Sequence, residues 1–170
     1  MIKCKFRPED QETELRHLTV AAIIVRAGKV LLSKRGYYKG HPIGEFGKWT
    51  LAGGYLDKDE TSVQGLEREA MEEVGCKLTN IKLLRIVDAP IRPNENKQNV
   101  TFVFVADFVS QIEFENEEVL EQKWFDLDDL PPQAMIAFDH YDDLMLYKEL
   151  VSGTYKAESW QRLPAEVFTV

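Results

Sequence analysis

The spacing of apolar positions changes character several times along the chain. From Leu18 to Val25 the run Leu-Thr-Val-Ala-Ala-Ile-Ile-Val is β-rich and nearly continuously apolar, the pattern of a central strand. Ala27-Gly28 supplies a turn and Lys29–Arg35 returns as a second strand, so the two predict a hairpin. Residues 36–48 carry Gly36, Gly40, Gly44, Gly47 and a proline, a loop of about a dozen residues and long enough to suspect function. A helix is predicted from about Ser62 to Val74, with a capping-box pattern at Thr61 and Gln64 and Gly75 as its natural stop. Ile81–Val87 and Val100–Val109 read as strands separated by the polar loop Asp88–Asn99. The acidic segment Glu113–Glu121 leads to a short strand at Lys123–Phe125, and Pro131-Pro132 precedes a C-terminal helix around His140–Val151. The first sixteen residues are polar and read as a loosely attached arm or an edge strand of a single domain spanning 1–170. Hairpins dominate, without regular βαβ alternation, so the expected class is α+β or a mixed sheet with helices on its faces.

Composition narrows the class further. At 170 residues, 44% hydrophobic and 29% charged, the chain has the make-up of a globular domain with a real core. Its net charge of −8 argues against wrapping nucleic acid, which needs a basic footprint. Polyphosphate substrates remain compatible, because a divalent metal held by carboxylates reverses the local charge. Cys4 and Cys76 form no CxxC pair, which makes a zinc ribbon or a disulfide framework a poor expectation. The N-terminus lacks the apolar core of a secretory signal and no run approaches the length of a membrane span, so the expected compartment is the cytoplasm.

The chemistry concentrates in the predicted helix. Val63, Leu66, Ala70 and Val74 form one apolar stripe, and Glu69, Glu72 and Glu73 fall together on a neighbouring face. Like charges this close repel, and a divalent cation with hard oxygen ligands, magnesium or manganese, would relieve them. Arg68 can reach Glu72 one turn on and fix its orientation. Taken alone, an E-x-x-E-E segment is more often a solvated face; the residues around it decide the matter.

From Gly54 the sequence runs through Glu60 to Arg68-Glu69-Ala70-Met71-Glu72-Glu73-Val74-Gly75-Cys76. This resembles the Nudix box, G-x5-E-x7-R-E-U-x-E-E-x-G-U, with Ala70 and Cys76 less bulky than usual. Trp49-Thr50-Leu51-Ala52-Gly53-Gly54 is similar to the family's entry to the box, with Ala52 in place of the usual proline, and Trp124–Pro131 and Phe138-Asp139-His140 resemble its downstream stretches. The resemblance covers about residues 18–150 and implies the Nudix fold, an α/β/α sandwich around a mixed β-sheet flanked by helices.

It also implies a function: metal-dependent hydrolysis of the pyrophosphate bond of nucleoside diphosphate derivatives, with Mg2+ or Mn2+ as cofactor. Carried over, Glu69, Glu72 and Glu73 would hold metal, with the carbonyl of Gly53 a further ligand and Glu69 or a loop carboxylate the general base. Arg68 would steer the carboxylates and Glu60 would brace the loop before the helix. Glu118 stands where many members place an extra metal-binding or basic glutamate, with Glu115, Glu117 and Glu121 as competitors. Lys34, Arg35, Arg92 and Gln98-Asn99 are candidates for substrate contact, and Tyr37, Tyr38 and Phe46 for base stacking. His17, His41 and His140 share no ligand spacing and are expected to be structural or solvated.

ADP-ribose or a related dinucleotide or sugar nucleotide is the leading substrate expectation, although Pro90 and Pro93 straddle the position where ADP-ribose-type members place a proline. The alternatives are a (d)NTP pyrophosphohydrolase that cleans the nucleotide pool and a non-catalytic nucleotide sensor. The arm admits a homodimer.

Overall fold

The computed structural model of the chain describes residues 2–6, 11–89, 99–113 and 116–156. Its elements are β1 (Ile2–Phe6), β2 (Gln11–Leu15), β3 (His17–Arg26), β4 (Lys29–Arg35), β5 (Tyr37–Tyr38), β6 (His41–Pro42), β7 (Trp49–Thr50), α1 (Ser62–Val74), β8 (Cys76–Val87), β9 (Asn99–Gln111), β10 (Val119–Asp126) and α2 (His140–Ser152), with a 3-10 turn at Gln133–Met135 before α2. The main sheet runs β10-β4-β3-β9-β8, and β7 pairs with β4. It is mixed: β3 and β9 are parallel along His17↔Asn99 to Val25↔Asp107, while β4, β8 and β10 pair antiparallel to their neighbours.

Strand β3 explains the layering. Val20, Ala22 and Ile24 point to one face and join Leu66, Ala70 and Val74 of α1, whereas Ala21 and Ile23 point to the other and join Leu144 and Leu146 of α2. Both faces are therefore covered, which is why the strand reads as continuously apolar rather than alternating. Ala27 and Gly28, with φ of 49° and 78°, make the turn to β4. Helix α1 begins at the capping box of Thr61 and Gln64 and ends at Gly75, whose φ of 67° is left-handed.

Several expectations change in extent. The three later strands are longer than the apolar runs, because their outer ends continue as paired edges with exposed side chains. The glycine-rich segment 36–48 is not all loop: it contains the small β5–β6 hairpin. The arm forms its own two-stranded sheet, β1 against β2. No helix among the described residues is long and apolar enough to cross a membrane.

Helix α2 is fastened to the sheet by a buried ion pair. Arg85 of β8 donates through Nε to Asp143 Oδ1 at 2.6 Å and approaches the same oxygen through Nη2 at 2.5 Å. Burial pushes the Asp143 carboxyl up to about 7; Arg85 opposes this and the neighbouring Asp139 and Asp142 add to it. Replacing Arg85 with leucine leaves that carboxylate without its cation and is expected to cost about 3 kcal/mol in urea unfolding at pH 8. A carboxyl whose pKa is raised by folding binds its proton more tightly in the native state, so the deficit shrinks as the pH falls towards 5 and Asp143 becomes neutral.

Candidate functional site

Below the end of β7 the chain enters the sheet instead of skirting it. Beyond Val25↔Val30 the strands β3 and β4 part, and residues 52–56 fill the gap. Val20 N–H donates to Gly54 O at 2.9 Å, Ala22 N–H to Ala52 O at 2.8 Å and Leu56 N–H to Leu18 O at 3.0 Å. Gly53 lies so close to β3 that a Cβ there would collide with the Val20 carbonyl. A Cβ on Gly54 would sit 2.5 Å from the Glu69 carboxylate. The two glycines thus let backbone approach strand on one side and carboxylate on the other.

Arg68 is the electrostatic hub. Its Nε and Nη2 donate to the two oxygens of Glu60 at 3.0 and 2.6 Å, its Nη1 to Glu69 at 2.8 Å and to Glu72 at 3.0 Å, and Nη2 also to the Tyr55 carbonyl at 2.9 Å. Glu60 in turn accepts from Asp57 N–H at 2.8 Å, bracing the loop before the helix. The Arg68 guanidinium, helped by that backbone N–H, holds the Glu60 carboxyl down at about 2. The arginine itself is raised above its usual value, chiefly by Glu60.

The carboxylates of α1 differ in surroundings. Glu72 is open, with 60% of its side chain exposed, whereas Glu69 retains 13%. Burial raises the Glu69 carboxyl, with Arg68 opposing. Glu73 Oε2 accepts from Gly53 N–H at 2.8 Å. Desolvation nonetheless pushes Glu73 up to about 8: the Gly53 N–H and the charge of Arg35 oppose, and Glu69 and Glu118 add repulsion. Glu118 therefore stands close enough for its charge to be felt at Glu73.

These groups face a cleft of about 840 Å3, lined by Glu69, Glu72, Glu73, Glu118, Gly53 and Arg68, among others. Arg35 also lines it, over the Phe138 ring at 4.9 Å and donating to Gly44 O at 2.6 Å. Lys34 does not: strand alternation turns it to the other face, where it lies over Trp49 at 5.6 Å and pairs with Glu121 at 3.6 Å. Tyr38 lines the cleft, while Tyr37 and Phe46 pack edge-on against each other at 4.8 Å. Glu117 binds the backbone of the β5–β6 turn. Arg92, Gln98 and Glu115 lie outside the described residues, and Asn99 lines the cleft.

Thr19, Thr101, Phe138 and His140 are among the lining residues that sequence reasoning did not place at the site. Thr19 and Thr101, side by side on β3 and β9 with hydroxyls 2.7 Å apart, carry no motif. Phe138 and His140 come from the far end of the chain and reach the cleft only because α2 starts beside β7. Of the two roles expected for His140, structural or solvated, its contacts are of the structural kind: its Nδ1 accepts from Leu51 N–H at 3.2 Å and lies 3.0 Å from Thr50 Oγ1. Asp139, His140 and Asp143 bring ligand-type atoms within 4.8 Å of one another, but Arg85 already supplies a cation there and Leu51 already occupies Nδ1.

Residues 15–144 match the NUDIX domain model. The chain belongs to the Nudix hydrolase family. Among curated relatives it is 32% identical, over 82% of its own length and 85% of the other's, to the oxidized purine nucleoside triphosphate hydrolase of Danio rerio. It is 31% identical, over 80% and 75%, to the ADP-ribose pyrophosphatase of Methanocaldococcus jannaschii. It spans only about a third (34%) of the length of the NAD-capped RNA hydrolase NudC of Vibrio vulnificus. Among solved structures, a MutT NUDIX hydrolase from Burkholderia pseudomallei superposes with a TM-score of 0.64 at 32% identity, covering 79% of this chain and 98% of that one. The mixed sheet flanked by helices is thus the Nudix fold.

The Arg68–Glu60 pair has a measurable signature. A carboxyl whose pKa is lowered by folding adds stability that is present above its ordinary value of 4.5 and lost as the pH falls towards 2. Glu60→Gln is expected to lower the melting temperature at neutral pH, and thermal melts should show the gap to the parent protein closing between pH 4.5 and 2.

Proposed function

We propose that this Nudix protein hydrolyses the pyrophosphate bond of a nucleoside diphosphate derivative, ADP-ribose or a related dinucleotide or sugar nucleotide, with a divalent metal. The observation that carries the reading is the convergence of Glu69, Glu72 and Glu73 with the Gly53 backbone on one cleft. The donor set fits such a metal. It offers hard carboxylate oxygens, and Glu73 is desolvated far enough to keep a proton at neutral pH unless a stronger cation replaces it. Glu69, Glu72, Glu73 and the Gly53 carbonyl would hold the ion, Mg2+ or Mn2+. When bound, the ion would neutralise phosphate charge and acidify a water.

The chain's own residues do the rest. Arg68 keeps Glu69 and Glu72 in a fixed relation through one nitrogen, so neither carboxylate has to be ordered when substrate arrives. Arg35 brings positive charge to the cleft that the carboxylates line, where it would meet phosphate oxygens. Tyr38 and Phe138 offer flat apolar surface to a base. Glu118, or Glu69, would accept the proton of the attacking water.

The second reading, hydrolysis of nucleoside triphosphates, is favoured by the name of the zebrafish relative. Product analysis separates them: AMP with ribose phosphate from ADP-ribose supports the first, and a monophosphate with pyrophosphate from a triphosphate supports the second. Glu72→Gln and Glu73→Gln are each expected to lower kcat at least about 100-fold on the accepted substrate, measured with saturating Mg2+. Unchanged turnover in both would remove the catalytic assignment.

Metal binding should also release protons. With the Glu73 carboxyl at about 8 before metal enters, apparent Mg2+ affinity is expected to rise with pH up to that value. Calorimetry at pH 7 in two buffers of different ionisation enthalpy should then read out proton release that Glu73→Gln abolishes.

A further inference from the structure

The turn Asn116–Glu118 is held from two sides. On one, Asn116 Nδ2 donates to the Glu72 carbonyl at 2.9 Å, while its Oδ1 accepts from Glu118 N–H at 2.9 Å. A single amide side chain therefore ties the backbone of Glu118 to the helical turn that carries Glu72 and Glu73. On the other side, Gly36 N–H donates to Glu118 O at 2.8 Å and Tyr37 N–H to Glu117 O at 2.7 Å. The Glu117 carboxylate accepts from Lys39 N–H at 2.6 Å and Gly40 N–H at 3.3 Å. Lys39 and Gly40 both have positive φ, 50° and 75°, which turns two successive N–H groups towards one anion. Gly36 lies in backbone contact with this turn, since a Cβ there would collide with the Glu117 carbonyl.

The apolar core does not include these residues, and β10 pairs with β4 through seven other residue partners from Val119 to Asp126. What the contacts set is the relation among three parts of the cleft: the α1 carboxylates, Glu118, and the hairpin that carries Tyr38.

We propose that Asn116 and Glu117 are positioning residues for Glu118, Asn116 setting it against Glu72 and Glu73, and Glu117 attaching to it the hairpin wall that a nucleotide would touch through Tyr38. The proposal rests on the reading of Glu118 as part of the hydrolytic site. An asparagine uses both ends of its amide here, so alanine loses both bonds. Aspartate keeps the acceptor for Glu118 N–H and loses the donor to Glu72.

The test is a double-mutant cycle on kcat with Asn116→Ala, Glu118→Gln and their combination, on the accepted substrate with saturating Mg2+. Asn116→Ala is expected to lower kcat on the order of 10- to 100-fold by misplacing a reacting group. Its KM should stay within about 3-fold, and it should add almost nothing in the Glu118→Gln background. Asn116→Asp is measured beside it, so that a folding defect of the alanine variant cannot stand in for the answer. Glu117→Ala should raise amide hydrogen exchange at residues 36–40 and lower kcat, with partial recovery in Glu117→Gln, which keeps one acceptor oxygen. An equal loss from Asn116→Ala in both backgrounds, or no loss where Glu118→Gln alone lowers kcat, overturns the proposal. If Glu118→Gln itself leaves kcat intact, the reading of Glu118 fails and the positioning role falls with it. Unchanged hydrogen exchange at residues 36–40 in Glu117→Ala overturns the part assigned to Glu117.

Discussion

Everything at the cleft depends on how close a loop can come to a strand. Residues 52–56 take the place of a strand beside the first half of β3, using its N–H and C=O groups at Val20, Ala22 and Leu18. This satisfies backbone groups that the parting of β3 from β4 would otherwise leave bare inside the fold. It also drops the start of α1 at a fixed height over the sheet, because only the four residues 57–60 separate Leu56 from the Thr61 cap. Gly53 makes the approach geometrically allowed, and its N–H then faces Glu73.

On that frame the charges are arranged as an incomplete neutralisation. Arg68 serves Glu60, Glu69 and Glu72, yet one guanidinium carries one positive charge against three negative ones. Glu73 and Glu118 face the same cleft, and the charge of Arg35, which also lines it, acts on Glu73. Structural pairing is strongest at Glu60, which stays ionised far below neutral pH, and weakest at Glu73, which is driven towards its neutral form. The residue most committed to holding the loop, just before the cap of α1, and those most in want of a cation, on α1 itself, are therefore distinguished by how many donors reach them.

What the sequence made legible follows from the range of the interactions concerned. Helix α1, its Thr61–Gln64 cap and its Gly75 stop depend on neighbours within a few residues, and the pattern reads them directly. The β3–β4 hairpin is equally local. The box glutamates are legible because a fixed spacing on one helix must place them together. Less was readable where distant segments meet. The parallel pairing of β3 with β9 has no local signature, so Thr19 and Thr101 gave no sign of sharing a wall of the cleft. His140 looked ordinary until α2 brought it to Leu51, and Lys34 and Arg35, adjacent in sequence, part company because a strand sends successive side chains to opposite faces. Among four competing glutamates in the acidic run, only the pairing of β10 with β4 distinguishes Glu118 from Glu121.

The parallel pairing has a consequence for how the cleft comes into being. Thr19 and Thr101 are 82 residues apart, and the whole of the loop, α1 and β8 lies between them. Closing such a span costs entropy before any contact rewards it, so this pairing belongs to the slow part of assembly. Helix α1 can form early from its own cap and stop, but its carboxylates then stand in open water with no Gly53 N–H or second wall opposite. Completion of the cleft is thus tied to the most non-local event in the fold, and a chain arrested before β9 docks would present the motif without the wall that carries Asn99 and Thr101.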